Sequence, residues 1–308
     1  MHRRMRCELQ VRIDMKKLAV FALGFLLASP ASARDINETL DADPKGSVEI
    51  YNTAGSVTVE GWSRKAVEVT GTLGNEVDEF IFERDGSDVI VKAKPKRGTS
   101  GGRGYVSDIV VRVPQGSSID VATVSADIDV EGVRGEQELQ SVSGNIDAEV
   151  HAAALEVETV SGDIDVQGND KNTEAELVTV TGDITAKQLS GEVDMESVNG
   201  HVILAGGSFT EAAFETVNGR IEYEANLRKG GELDIDTVNG RVDVDFVGSV
   251  SADFEIETFN GRIKNCFGPK AEKVSKYAPG WELSFTEGNG DGSVTIVTLN
   301  GGVNLCKE

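Results

Sequence analysis

Downstream of Val121 the chain alternates apolar and polar residues in short runs, each broken by a small polar corner. In the stretch Leu233 to Phe246, LDIDTVNGRVDVDF, apolar residues alternate with charges on both sides of Asn239-Gly240. A period of two is the strand signature, so each unit predicts two short strands around a corner. No comparable helical periodicity appears after residue 33.

The corners belong to one repeated frame: Thr/Ser, an apolar residue, Ser/Thr/Asn, Gly, any residue, then Ile/Val. Copies begin at Thr123, Ser141, Thr159, Thr179, Ser197, Thr216, Thr237, Thr258 and Thr298, and only the first lacks the glycine, with Ala126 in its place. Successive spacings are 18, 18, 20, 18, 19, 21, 21 and 40 residues. A period near 20 marks units that bury their apolar faces by stacking on neighbours. Glycine at the corner is expected to accept a positive φ.

Two antiparallel alternatives compete with a parallel stack. Asn-Gly is a strong hairpin signal, but a two-residue turn at Asn239-Gly240 would set Asp236 against Asp243, and the same rule sets Glu158 against Asp165. Directly opposed like charges destabilise a sheet. A transmembrane β-barrel needs strands of 9–11 residues and aromatic girdles; the strands here are short and aromatics are 6% of the chain. The pattern therefore predicts an all-β fold, a single parallel β-solenoid of about 18–21 residues per turn. Less regular strands are expected at 47–53, 56–62, 66–73, 77–84, 88–94 and 106–113. Residues 34–120 form an N-terminal β-rich cap that protects the first edge, with Pro95 to Gly104 as a flexible connection.

Residues 15–33, MKKLAVFALGFLLASPASA, read as a secretory signal: basic Lys16 and Lys17, an apolar run, and Ala31-Ser32-Ala33 as the cleavage site. Residues 1–14 are an over-extended start with Met15 the initiator, and the mature chain begins at Arg34. The expected organisation is thus 1–33, 34–120 and the repeat region 121–308. Location follows as periplasm or secreted/cell surface.

Export alters the reading of the cysteines. Cys7 falls in the removed segment, leaving Cys266 and Cys306 in an oxidising compartment. Each lies eight residues after the Thr of its copy, so both occupy the same slot in two turns. Turns about 4.8 Å apart fall within disulfide range, provided residues 267–297 bulge out instead of completing a turn. Two unpaired thiols are the other reading.

The layout resembles a bacterial adhesin family related to auto-transporter adhesin head domains. The resemblance rests on Ser47 to Trp62 (SVEIYNTAGSVTVEGW), the Val113-Pro114-Gln115-Gly116 step, the Thr159 to Ile164 unit (TVSGDI), Phe267-Gly268-Pro269, and the closing Thr298 to Val303 (TLNGGV). It implies a β-solenoid and supplies no catalytic residues.

Charge narrows the function further. Thirty Lys+Arg against 52 Asp+Glu give −22, and removal of residues 1–33 leaves −26. Such a chain repels phosphate, which excludes nucleic acid as partner. No apolar stretch is long enough for a spanning helix. His151 and His201 lack ligand spacing for zinc, and Ser125, Ser143 and Ser161 lack a nucleophile context. Carboxylates such as Asp127/Asp129 and Asp163/Asp165 recur as columns, so a polysaccharide-active enzyme is the weaker alternative. No cofactor is expected. The expected role is a non-enzymatic envelope interaction or scaffold protein, adhesin-like, whose partner is an envelope protein or glycan. An accessory of an envelope stress-response system is a further alternative.

The slot after the corner glycine holds Asp127, Asn145, Asp163, Asp183, His201, Arg220, Arg241 and Arg262. Stacking turns this into an acidic ladder followed by a basic one. Arginines with Glu222 and Asp243 two residues on are expected in ion pairs. The acids Asp127, Asp163 and Asp183 are expected to lack such relief, making them a possible site for divalent cations or a basic partner.

Overall fold

The structure is a computed structural model that describes residues 34–96, 105–275 and 279–307. The expected signal segment, Met15, the Ala33/Arg34 junction and most of the 95–104 connection lie outside or at the limit of the described residues. The regular structure described is all β: 23 strands hydrogen-bonded into one mixed sheet.

The N-terminal strands are β1 (Arg34–Asp41), β2 (Ser47–Trp62), β3 (Ala66–Leu73), β4 (Val77–Asp85), β5 (Asp88–Pro95), β6 (Val106–Pro114) and β7 (Ser118–Glu131). The repeats supply β8 (Gln137–Ser143), β9 (Ile146–Glu149), β10 (Leu155–Ser161), β11 (Ile164–Gln167), β12 (Asn172–Thr181), β13 (Ile184–Lys187), β14 (Ser190–Asn199), β15 (Val202–Asn218), β16 (Ile221–Asn239) and β17 (Val242–Phe246). The chain closes with β18 (Ala252–Thr258), β19 (Ile263–Asn265), β20 (Glu272–Lys273), β21 (Trp281–Glu287), β22 (Gly292–Asn300) and β23 (Val303–Lys307).

Each copy of the frame forms a rung, with one strand running into the corner and one leaving it. Rungs stack in parallel and in register. In the upstream row Thr123 lies opposite Ser141, Ser141 opposite Thr159, Thr159 opposite Thr179, and so through Ser197 and Thr216 to Thr237. The downstream row keeps step: Ile128, Ile146, Ile164, Ile184, Val202, Ile221 and Val242 align. Residues flanking the corner on its inner side alternate buried and outward, as period two requires.

Spatial order then departs from chain order. β22 pairs in parallel with β16, Thr237 opposite Thr298, and on its other edge with β18, Thr258 opposite Thr298. β23 likewise lies between β17 and β19. The last rung of the sequence is therefore inserted one place in from the end. The other end is built the same way. β2 pairs with β7 on one edge and with β5 and β6 on the other, so the first long strand also sits one rung inside. The cap and the repeats consequently share one continuous sheet.

The expected single parallel solenoid is corrected at both ends. β4 runs antiparallel to β5, β3 to β6 and β1 to β3, while β21 and β20 run antiparallel beyond β18. Antiparallel neighbours need only a short reversal, and the β4–β5 turn uses two residues, with Gly86 at φ 65°. The expected strands 47–53 and 56–62 are one element, β2, which passes through its own corner at Gly55 (φ 112°).

The core lies between the two rows. It is aliphatic over the early rungs, with Val157, Leu177, Ile164 and Ile184 fully buried. Later it becomes aromatic. Tyr223 meets Phe209, Phe214 and Phe246 at centroid distances of 6.4, 6.0 and 5.7 Å, and Phe254 stacks on Phe285 at 4.5 Å.

Of the eight corner glycines, Gly162 (φ 159°) and Gly182 (φ 151°) have the expected positive φ, and the other six require a correction. Gly144, Gly200, Gly219, Gly240, Gly261 and Gly301 have no positive φ. They are glycines because the rungs approach closely there. A Cβ on Gly219 would lie 1.7 Å from the Gly200 carbonyl oxygen, and one on Gly301 1.6 Å from that of Gly240.

Candidate interaction surface

Every rung begins with a buried Ser or Thr. Several of these hydroxyls donate to a corner carbonyl of the neighbouring rung: Thr179 Oγ1 to Gly162 O (3.3 Å), Ser197 Oγ to Gly182 O (3.2 Å), Thr258 Oγ1 to Gly301 O (2.9 Å). The corner's outer surface then presents four positions: the apolar residue, Ser/Thr/Asn, glycine and the slot.

In the first half the slot side chains bind the next rung's backbone. Asp127 Oδ1 accepts from Asn145 N–H (2.9 Å), Asn145 Oδ1 from Asp163 N–H (3.0 Å), Asp163 Oδ1 from Asp183 N–H (2.8 Å), and Asp183 Oδ1 from His201 N–H (2.7 Å). His201 Nδ1 ends the series by accepting from Arg220 N–H (3.0 Å). Each of Asp127, Asp163 and Asp183 thus has a backbone donor at Oδ1, which ties the rungs together without pairing the carboxylate's charge. Asn145 fits this series because its amide oxygen does the same work. Among the described residues no group of three or more His, Cys, Asp or Glu is arranged to hold a metal ion.

The second half uses the position before the glycine. Asn218 Nδ2 donates to Asn199 Oδ1, Asn239 to Asn218, Asn300 to Asn239 and Asn260 to Asn300, all at 2.8–3.0 Å. This amide ladder follows the inserted order, with Asn300 between Asn239 and Asn260. Its slots carry arginine in ion pairs: Arg220 with Glu222 (2.6 Å) and Asp243 (2.9 Å), and Arg241 with Asp243 (2.9 Å). Burial acts to raise the Asp243 carboxyl. Hydrogen bonds from Asn304, Arg241 and Arg220 outweigh it and hold the group below the usual range.

Cys266 and Cys306 are joined, with Cα atoms 4.9 Å apart. The bond ties the outermost rung to the inserted one. β20 and β21 lie outside β18, and the chain re-enters the stack through β22, whose direct parallel pairing with β18 leaves no full turn between the two cysteines.

The upstream face bears a groove of about 560 Å³. One wall column runs Asp120, Glu138, Glu156, Glu176, Asp194 in direct register. Glu158, Glu196, Glu215 and Asp236 lie two positions further along their strands. Burial, reinforced by Asp194, Glu215 and Glu176, pushes the Glu196 carboxyl up to about 7. Burial with Glu176, Glu215 and Glu211 brings Asp194 to about 6. Glu158 and Asp236 are raised for the same reason, burial first and then neighbouring acids. Proximity of like charges in a partly desolvated trough disfavours ionisation. Sequence reasoning placed its acidic site in the slot and missed this trough. The signal was present in Glu136/Glu138, Glu174/Glu176 and Glu192/Asp194, acids two apart and therefore on one face of a strand.

The two histidines stay apart. His201 is exposed in the slot column, and His151 is half-buried after β9. Ser125, Ser143 and Ser161 stand exposed on the corner with no histidine beside them in their rungs.

The Toastrack DUF4097 family profile matches residues 46–306, from the start of β2 to the end of β23. This chain belongs to the Toastrack family. No curated protein matches it. Among solved structures, this Toastrack chain is similar to a "putative cell adhesion protein" from Clostridium sporogenes, at 13% identity over 89% of this chain and 100% of that one, TM-score 0.29. A "putative adhesin" from Bacteroides fragilis is 11% identical over 90% and 99%, TM-score 0.45. A "putative lipid binding protein" from Parabacteroides distasonis is 13% identical over 88% and 96%, TM-score 0.35. Likeness at this level carries no function across to the Toastrack chain.

Proposed function

We propose that this Toastrack protein is a non-enzymatic scaffold of the cell envelope, an adhesin-like β-solenoid that is exported and acts by holding a partner. One observation carries the reading: the acids of the upstream groove repeat with the rung. Binding strength in such a trough is spread along many equivalent positions, which suits an extended cationic segment of an envelope protein better than a small substrate. Electrostatic complementarity there sets specificity and encounter rate. An extracytoplasmic location is supported by the Cys266–Cys306 bond, of a kind that persists in oxidising compartments, and by the leader-like segment at residues 15–33.

The test is cross-linking in living cells from a photo-reactive residue at Glu192, followed by fractionation. A basic envelope protein should be captured, and capture should fall when Glu138, Glu156 and Glu176 are changed to glutamine. Retention of the protein in the cytoplasm, or capture that ignores those substitutions, would overturn the proposal.

A further inference from the structure

The outer corner surface is an apolar ridge beside a charged column, and both have an order that only the stacking reveals. Nine rungs are aligned by their threonine or serine: 123, 141, 159, 179, 197, 216, 237, 298 and 258. The apolar residue after each points outward. Val124, Val142, Leu299 and Phe259 are 52%, 47%, 48% and 49% exposed, and the five valines between them are half-buried. A scattered exposed valine needs no explanation, whereas a continuous ridge does.

The slot column beside the ridge is charge-antisymmetric about its middle rung. With Gly302 inserted before Arg262, the nine slots read Asp127, Asn145, Asp163, Asp183, His201, Arg220, Arg241, Gly302, Arg262. Reversing this column pairs Asp127 with Arg262, Asp163 with Arg241 and Asp183 with Arg220. The two uncharged slots, Asn145 and Gly302, also meet each other. His201 meets itself.

We infer that the corner surface is a self-association site, on which a second copy of this chain docks antiparallel about a two-fold axis through the Ser197–His201 rung. A two-fold axis lying along the strand direction brings each column onto its own reversal, the defining property of an isologous contact. The ridge then packs on the ridge, Val198 on its own counterpart and Val124 toward Phe259. Asp163 uses Oδ1 for the neighbouring rung, leaving Oδ2 for a partner. Arg220 and Arg241 keep 45% and 57% of their side-chain surface exposed beyond their own ion pairs. The acids Glu158, Glu196 and Asp236 precede the buried Ser/Thr and lie outside the four-residue corner strip.

Eight steps of about 4.8 Å by four residues of about 3.3 Å give roughly 500 Å² for each copy. Two copies bury about 1,000 Å², at the low end for a specific complex. The dimer is thus weak, reversible and favoured by low salt. The acidic groove on the upstream face stays open, so the pair would offer two.

Sedimentation equilibrium of the purified protein at low and high salt tests this, together with three variants. Arg241→Asp should weaken association about tenfold, because two symmetry-related pairs become like-charged. Adding Asp163→Arg in the same chain should restore it. Val198→Cys should give a covalent dimer under mild oxidation, and Val142→Cys alone should not, since only a residue near the axis meets itself. Should the double variant fold poorly, the cysteine pair decides. A protein monomeric at every concentration, a charge swap no better than its single parent, or cross-linking equal at Val198 and Val142 would overturn the inference.

Discussion

The two halves of the stack, rungs 123–179 and rungs 216–258, share a six-residue frame and solve the same problem differently. Each rung must be tied to the next at a corner where backbones approach too closely for any side chain on the glycine. In the first half the tie is the slot residue, an Asp or Asn accepting the next rung's N–H. In the second it is the corner asparagine, which both donates and accepts and so forms a ladder of its own. His201 and Asn199 belong to the rung where one scheme hands over to the other. Moving the tie to asparagine releases the slot for arginine. A repeat can therefore change surface charge while keeping its rung spacing, provided one position in the corner always reaches its neighbour.

The halves also differ in how they are closed. The second has aromatic packing, an inserted rung and a disulfide; the first leans on β2 and the antiparallel strands of the cap. The largest expected effect is common to both. Gly219→Ala should cost at least about 3 kcal/mol or abolish folding, since its Cβ would meet the Gly200 carbonyl oxygen at 1.7 Å. Urea unfolding measures it, and Gly182→Ala in the first half should behave alike.

Next in size is the disulfide. Cys306→Ser should lower stability by about 2–4 kcal/mol. Hydrogen exchange should show the lost protection confined to β18, β19, β22 and β23, with β8 to β13 unchanged. Equal loosening at both ends would mean that the stack unfolds as one unit and the contrast is false.

A smaller effect is expected from pH. Glu196 and Asp194 have folded-state pKa values raised to about 7 and about 6, so between pH 4 and 7 the folded chain holds more protons than the unfolded one. Their contribution to stability is present at the acid side of that window and is lost as pH rises through it. The Tm should rise on acidification from pH 8 to pH 5, and Glu196→Gln should raise Tm at pH 8 and flatten the profile. Asp243, with a depressed pKa, works in the opposite sense at lower pH.

Much of this architecture is legible in the chain alone, because period-two alternation and a 20-residue repeat are local facts. Thr123 to Thr298 mark the rungs correctly, and Cys266 and Cys306 fall in matching slots. Rung order is another matter. The copies at Thr258 and Thr298 carry the same frame, and nothing within six residues says which stacks on Thr237. That choice depends on β21 returning antiparallel along β18, a long-range pairing. The need for glycine was visible while its cause was not, since close approach is a property of two rungs. Likewise Asp163 reads as a plain surface acid until the N–H of Asp183 is placed beside it. The groove went unread because concavity arises from several strands together.

The direct test of the division between slot and corner is a set of four alanine substitutions compared by urea unfolding. Asp163→Ala and Asn239→Ala remove the tie in the first and second halves, and each should cost about 1 kcal/mol. Ser161→Ala and Arg241→Ala remove the untied position in the same halves, and each should stay within about 0.5 kcal/mol of the parent. Four equal losses, or larger losses at Ser161 and Arg241, would contradict the account.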